Sequence, residues 1–366
     1  MYALTTASPF VVGAGEPIGT YRTHRASPDA SVRRPRSHEE AAIAAEEKAH
    51  VTVGEIGEFG LIDRIVTRLG SVAAPGDAIA LGPGDDAAVV RTSDGRLVAS
   101  TDILVEGRHF RRDWSSGEDV GHKAAAQAMA DIVAMGGVPT ALLVALACPP
   151  DLPAAWVDEL CTGLAAEAET AGAAVVGGDV VASDTLTVAM TALGDMRGRN
   201  PITRAGAQPG HIVAVAGRLG WSAAGQAILS RGFRSPAAVV NAHRRPQPPY
   251  DAGPQAAHLG AHAMCDVSDG LIQDLEHIAR ASGVTIALDR AAIEVAPRLQ
   301  EIAGAFGADP AGWVLDGGED HALVAAFAED VSLPAEWRPV GRIQSGPPVV
   351  LLDGTPREGA GFDHFT

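Results

Sequence analysis

Short stretches in which a carboxylate stands among Gly, Ser or Thr recur along this chain. They are Asp85-Asp86 in GPGDDA, Asp102 in STD, Asp179 in GGD, Asp266 and Asp269 in DVSDG, and Glu319-Asp320 in GGED. Asp131 adds an acid inside a stretch otherwise made of Ala, Met, Ile and Val. Taken singly, Asp-Gly is ordinary turn chemistry. An acid on an apolar helix is either a solvent-facing position or a buried charge that needs a partner. Taken jointly, the segments follow apolar strands or sit between glycines, where strand ends place side chains in a shared crevice. Several carboxylates in one crevice cannot all ionise at neutral pH unless cations are present. Hard divalent ions meet that need, Mg²⁺ above all when phosphates complete the shell. The pattern therefore points to a phosphate site holding several Mg²⁺ ions. Two further residues have both a binding and a plain reading. Arg204 in NPITRAGAQPG is a phosphate contact or a surface cation, and His109 in DILVEGRHF is a ligand contact or a satisfied structural histidine.

Charge and composition narrow the partners. Of 366 residues, Lys plus Arg number 28 and Asp plus Glu 45, a formal charge of −17. Such a chain repels a bare polyanion, which argues against nucleic acid or an anionic membrane as main partner. Only Lys48 and Lys123 are lysines, and neither stands in a Gly-Lys-Ser/Thr loop or a protein-kinase strand motif. Nucleotide chemistry must then use another phosphate grip. Cys148, Cys161 and Cys265 are scattered, as expected of reduced cytosolic thiols rather than a disulfide framework. No apolar run approaches the ~18 residues of a spanning helix, and no leader pattern is evident. The expected location is cytoplasmic.

The elements that must position these residues alternate between strand and helix. Residues 1–54 read as a tail rich in Ser, Pro, Thr and Arg with one short Ala/Glu stretch. From Gly57, the spacing of Leu61, Ile62, Ile65, Val66 and Leu69 predicts a helix. Strands are predicted at 86–90 and 97–105. Ser115 and Glu118 form a capping-box pattern opening a helix that ends at Gly136-Gly137. A strand, a helix over about 154–171, and strands in AAVV and LTVAMTALGDM follow. Beyond Asn200 come a strand at HIVAVAGRLG, helices at SAAGQAILSRG and before CDVSDG, and the amphipathic helix LIQDLEHIARASG. This alternation implies an α/β architecture in two domains, 55–198 and 199–366.

The series GEFGLI, GPGDDAA, STDILVEGRHF, DIVAMGG, GGD, ITRAGAQPGH, DVSDGL, GGEDHAL and GFDHF resembles, in order and spacing, the thiamine-monophosphate kinase family. That family belongs to the aminoimidazole-ribonucleotide-synthetase-like superfamily, and the resemblance spans about residues 55–366. It implies an α+β type two-domain fold whose N-terminal sheet completes a barrel across a homodimer. ATP would lie in a cleft between domains, with Mg²⁺ ions, and thiamine monophosphate would be the acceptor. By matching motifs, Asp86, Ser100, Thr101, Asp102, Asp131, Asp179, Asp266 and Asp269 look like metal ligands. Thr101, Gly178, Arg204 and Ser268 look like ATP contacts, with Arg204 offsetting phosphate charge. His109, Glu319 and Phe362 look like thiamine-phosphate contacts. The chain departs from the family at Ala128 and Ala130, where many relatives carry Asn and Ser, and at Val180, where Thr is common. The runner-up is an ATP-dependent synthetase of the same superfamily. A selenophosphate synthetase would need a reactive Cys in a Gly-rich N-terminal segment, and a hydrogenase-maturation protein would need one at the C-terminus. From another class, a nucleotide-binding regulator without turnover is disfavoured by retention of the metal carboxylates.

Overall fold

Residues 51–69, 78–83 and 87–361 are described by the computed structural model. All but the last four residues of the expected tail, together with Asp85, Asp86 and Phe362, lie outside them. The first half runs α1 (Val53–Leu69), β1 (Ile79–Leu81), β2 (Val89–Val90), β3 (Val98–Val105), α2 (Gly117–Ala134), β4 (Val138–Cys148), α3 (Ala154–Ala171), β5 (Ala174–Ala182) and β6 (Thr187–Asp195). The second half continues with β7 (Ile212–Ala216), α4 (Trp221–Ser230), α5 (Ala237–Arg244), α6 (Ala252–His258), β8 (Ala263–Val267) and α7 (Leu271–Ser282). It closes with β9 (Thr285–Leu288), α8 (Pro297–Phe306), α9 (Pro310–Asp316), β10 (Ala322–Phe327), β11 (Trp337–Gln344), β12 (Val350–Leu352) and β13 (Thr355–Pro356).

These strands form two sheets beside the small β1–β2 ribbon. The four-stranded sheet has the order β3-β6-β4-β5, and the seven-stranded sheet has the order β13-β12-β9-β11-β7-β10-β8. Period-2 alternation sorts the smaller sheet into a covered and an open face. Leu142, Val144, Leu146, Val188 and Met190 are buried in one core with α2 and α3. On the other face Ile103, Leu143 and Val181 remain 53%, 36% and 57% exposed.

Helix α2 decides the architecture, because it lies between the sheets. Val120, Ala124, Ala128, Met129 and Ile132 join the core of the four-stranded sheet. Val133 and Ala134 join Ala214, Ala216, Leu323 and Ala325 of the seven-stranded sheet. Burial on several sides explains why the helix is so rich in Ala. It also approaches α3 closely: a Cβ on Gly163 would stand 2.0 Å from the Glu118 carbonyl oxygen.

Several expectations need correction. The capping box closes one residue later, between Ser116 and Asp119 (3.2 and 3.1 Å). Ser115 is buried with its N–H on the Arg111 carbonyl, so the helix starts after it. Asp102 and Asp179 lie within β3 and β5 rather than in turns at strand ends. β5 runs on through GGD because Gly178 has no side chain: a Cβ there would stand 2.0 Å from the Val144 carbonyl oxygen. Helix α5 was not anticipated; it is eight residues long and begins without a side-chain cap.

Candidate active site

Beside α2, between the two sheets, a cavity of about 780 Å³ opens, within the range of small-molecule sites. It gathers Asp102 from β3, His109 from the loop after it, Asp131 from α2, and Asp266, Ser268 and Asp269 from the end of β8 and its loop. Glu319, from the loop before β10, also lines it.

Each carboxylate has an identifiable setting. Asp102 projects from the covered face of β3, where its Oδ1 accepts a hydrogen bond from Gln127 Nε2 (3.0 Å). Its Oδ2 is buried with no hydrogen-bond partner among the described residues. Asp131 accepts from Ser100 Oγ at 2.5 Å. Burial, then repulsion from Asp266 and Asp102, push Asp131 up to about 6 against that hydrogen bond. Asp266 meets His321 Nδ1 at 3.0 Å. Burial alone would lower His321, but its contact with Asp266 raises it overall. The DVSDG loop is drawn onto α7 by Asp274, which accepts the N–H groups of Ser268, Asp269 and Gly270 at 3.0, 3.1 and 3.1 Å. Burial and the neighbouring Asp266 push Asp274 up to about 7.

Adjacent residues of GGED diverge. Glu319 has a left-handed backbone (φ 63°) and directs its carboxylate between Lys123 and His243. Burial works to raise its pKa, but Lys123 and His243 together hold it well below the usual carboxylate range. Asp320 turns away from the cavity and caps α4, accepting the N–H groups of Gly220 and Ser222. Burial pushes it up to about 7 despite those bonds.

Other predicted residues lie elsewhere. Thr101 points to the opposite face of β3 and donates to the Met190 carbonyl (3.0 Å). Gly178 and Asp179 stand on β5, the far edge of that sheet from β3, about 14 Å away at three strand spacings. They border a separate apolar pocket between α1 and α3, lined by Ile62, Ile65, Leu160 and Cys161 among others. Arg204 is exposed outside the cavity, and its carbonyl accepts from Ser282 Oγ (3.1 Å).

Motif reading missed Gln127, His243, His321, Ser222, Trp114 and Trp313, all of which line the cavity. Gln127 had one usable signal, its i, i+4 spacing from Asp131. Ala128 and Ala130 are fully buried; Gln127 and Ser100 supply the polar bonds to Asp102 and Asp131.

Among the described residues, no three His, Cys, Asp or Glu side chains converge tightly enough to hold a metal ion. The unpartnered Asp102 oxygen and the crowding at Asp131 nevertheless leave negative charge that a cation would offset. These residues fit Mg²⁺ as partial ligands, with phosphate and water oxygens completing the shell.

Within this mixed α/β fold, residues 84–196, which include α2 and Asp131, match the family described as AIR synthase related protein, N-terminal domain. Within that class the chain belongs to the thiamine-monophosphate kinase family. It is 49% identical over 316 residues to thiamine-monophosphate kinase of Mycobacterium tuberculosis H37Rv, covering 86% of this chain and 93% of that one. The solved thiamine monophosphate kinase of Aquifex aeolicus superposes with TM-score 0.69 at 30% identity, over 84% of this chain and 100% of the other. A structure of AaThiL complexed with AMPPCP and TMP gives TM-score 0.71 at 31% identity, covering 86% and 99%.

Proposed function

We propose that this chain transfers the γ-phosphoryl group of ATP to thiamine monophosphate, giving thiamine diphosphate and ADP. The observation that carries this reading is the single cavity gathering Asp102, Asp131, Asp266 and Asp269 with His109 and Glu319. Its likeness to a relative solved with AMPPCP and TMP supports the same substrates here.

The acceptor is a phosphate oxygen, already ionised near neutral pH, so no proton must leave before attack. No general base is needed, unlike a hydroxyl acceptor. In-line transfer forms one P–O bond to the acceptor and breaks the bond to ADP, without a covalent enzyme intermediate. Asp102, Asp131, Asp266 and Asp269, with Ser100, would hold Mg²⁺, which supplies charge neutralisation between the two anions. Gln127 orients Asp102, and Asp274 holds the 268–270 loop in place. His109 and Glu319 hold the acceptor, and Phe362 is assigned to packing on its cationic ring. Ser268, which lines the cavity, is assigned to the nucleotide. For Asp86, outside the described residues, and for Thr101, Gly178, Asp179 and Arg204, which do not line this cavity, a role toward the nucleotide and its metals rests on their motifs alone.

We assign the open face of the four-stranded sheet to a second copy of the chain. Ile103, Leu143 and Val181 make that face apolar, and monomers rarely leave such patches bare. Asp179 stands on this face, so pairing would bring a second chain against it. The chain then works as a homodimer, with the two domains divided near residue 198.

Pure protein with ATP, Mg²⁺ and thiamine monophosphate should yield ADP and thiamine diphosphate in equal amounts by mass spectrometry. Thiamine, which lacks the acceptor phosphate, should react far more slowly. Equal rates for the two acceptors, or a phospho-enzyme trapped from labelled ATP alone, would overturn the direct transfer.

A further inference from the structure

Lys123 is one of only two lysines in the chain, and the reading above gives it no part. It lies on α2 and is only 2% exposed. Burying an ammonium group costs several kcal/mol unless good partners answer it, and a hydrophobe of similar size is often no less stable there. The partners of Lys123 are specific. Its Nζ donates to the His109 carbonyl oxygen at 2.9 Å and meets Glu319 Oε1 at 2.8 Å. Those two residues come from opposite sides: His109 follows β3 of the four-stranded sheet, and Glu319 precedes β10 of the seven-stranded sheet. Lys123 does not itself line the cavity, whereas both partners do.

The surroundings of Glu319 sharpen the point. Its second oxygen lies 3.3 Å from His243 Nδ1, and Ser222 Oγ meets that same nitrogen at 3.0 Å. Because Ser222 and Glu319 share one ring nitrogen, this is no Ser-His-acid relay, in which the acid and the serine take opposite nitrogens. Burial and the neighbouring Lys123 both lower His243. The Glu319 backbone is strained, with φ 63°, and its N–H is tied to Ser268 at 2.7 Å. A non-glycine residue held in that conformation is fixed by its surroundings. With backbone and one oxygen fixed, the partly exposed carboxylate (30%) can present only one aspect to the cavity.

We propose that Lys123 is a positioning residue for the acceptor: it fixes the His109 segment and the Glu319 carboxylate at one separation, so that both meet thiamine monophosphate together. This rests on the phosphotransfer reading above. Lys123 acts through its partners and touches no reacting atom.

The test is steady-state kinetics of the full-length parent, Lys123→Met, Lys123→Arg, Glu319→Gln and the Lys123→Met/Glu319→Gln double variant, with thermal melting of each. Binding of thiamine monophosphate without nucleotide is read by calorimetry. Losing a charge-assisted hydrogen bond to a binding carboxylate should raise the acceptor KM and Kd about tenfold or more in Lys123→Met. KM for ATP should stay within about twofold and kcat should fall less than the acceptor KM rises. Lys123→Arg should lie between parent and Lys123→Met. The double variant should be no worse than Glu319→Gln alone, because residues acting as a unit are non-additive. An unchanged acceptor KM, equal shifts for both substrates, or fully additive effects in a parent-like fold would overturn the proposal alone. If neither Lys123 variant folds, Lys123 serves the fold and the proposal is likewise overturned. A parent that binds and turns over no thiamine monophosphate would instead remove the functional reading itself.

Discussion

The two sheets contrast in how completely one chain covers them. The seven-stranded sheet is sandwiched: Val213, Val215, Cys265 and Val324 pack under α4 and α7, while Ala214, Ala216, Leu323 and Phe327 pack toward α2 and α6. Every residue of β10 is buried. Among the described residues, the four-stranded sheet has helices on one face only; on the other, the β1–β2 ribbon packs against Ala141 and Val176, while Ile103, Leu143 and Val181 stay in solvent. The difference separates two jobs. The larger sheet is a finished scaffold that carries Asp266, Asp269 and Glu319 at its edge, whereas the smaller sheet leaves Asp179 on the open side, the face proposed above to receive a second chain.

The largest effects should come where both sheets meet. Asp131 lies on α2 between them, and Asp269 approaches from the larger sheet. Asp131→Asn or Asp269→Asn should each cut kcat/KM by about 100-fold or more by weakening Mg²⁺ binding. Asn keeps the shape but loses the charge, so raised Mg²⁺ should partly rescue one variant. Melting curves should stay cooperative. If both variants match the parent at limiting Mg²⁺, the carboxylates are not metal ligands and the two halves of the cavity do not act together.

The contrast itself can be broken on the open face. Ile103→Glu combined with Val181→Glu places charge where apolar contact is expected. Light scattering should then shift from a dimer to a monomer of 37.5 kDa, with activity lost and circular dichroism unchanged. A parent that is already monomeric at micromolar concentration would remove the distinction between a finished and an unfinished sheet.

A smaller effect should come from Gln127, which fixes one Asp102 oxygen and leaves the other unpartnered. Gln127→Ala should lower activity about tenfold and raise the Mg²⁺ requirement, as outer contacts to metal ligands commonly do. Activity loss without any change in Mg²⁺ dependence would mean Gln127 serves only packing.

How much of this was legible beforehand depended on whether local or distant residues decided it. Helix α7 was readable because Leu271, Ile272, Leu275 and Ile278 lie on one face and Gly283 ends it with φ 67°. The acids at Asp102, Asp131, Asp266 and Asp269 were legible as a set, since their small neighbours and apolar approaches lie close in sequence. The parting of Asp102 from Asp179 was not. In the ladder, Asp102 aligns through Met190 and Val144 with Gly178, so Asp179 is one residue out of phase and faces the other side. A one-residue offset reverses the face of a strand residue, and only the pairing register reveals it. The parting of Glu319 from Asp320 was hidden too, because Lys123 and the N-terminus of α4 are both far away in sequence.

The smallest effect tests that last pair. Asp320 is 6% exposed, and burial pushes it up to about 7 although two N–H groups bond it. Its folded pKa thus lies above the ordinary value of 3.8, so the folded chain holds this proton more tightly than the unfolded chain does. Linkage then fixes the sign: the contribution is fully present below about pH 4 and is lost as pH rises through about 7. Asp320→Asn cannot titrate and should flatten that part of the profile. The difference in melting temperature between parent and variant should therefore change by about 4 °C between pH 5 and pH 8, the parent losing ground as pH rises. Glu319, one residue away, is held low by Lys123 and His243, so Glu319→Gln should show no such trend across the same range. Identical pH slopes for parent and Asp320→Asn would show that Asp320 keeps its charge at the start of α4, and the two adjacent acids would then differ only in where they point.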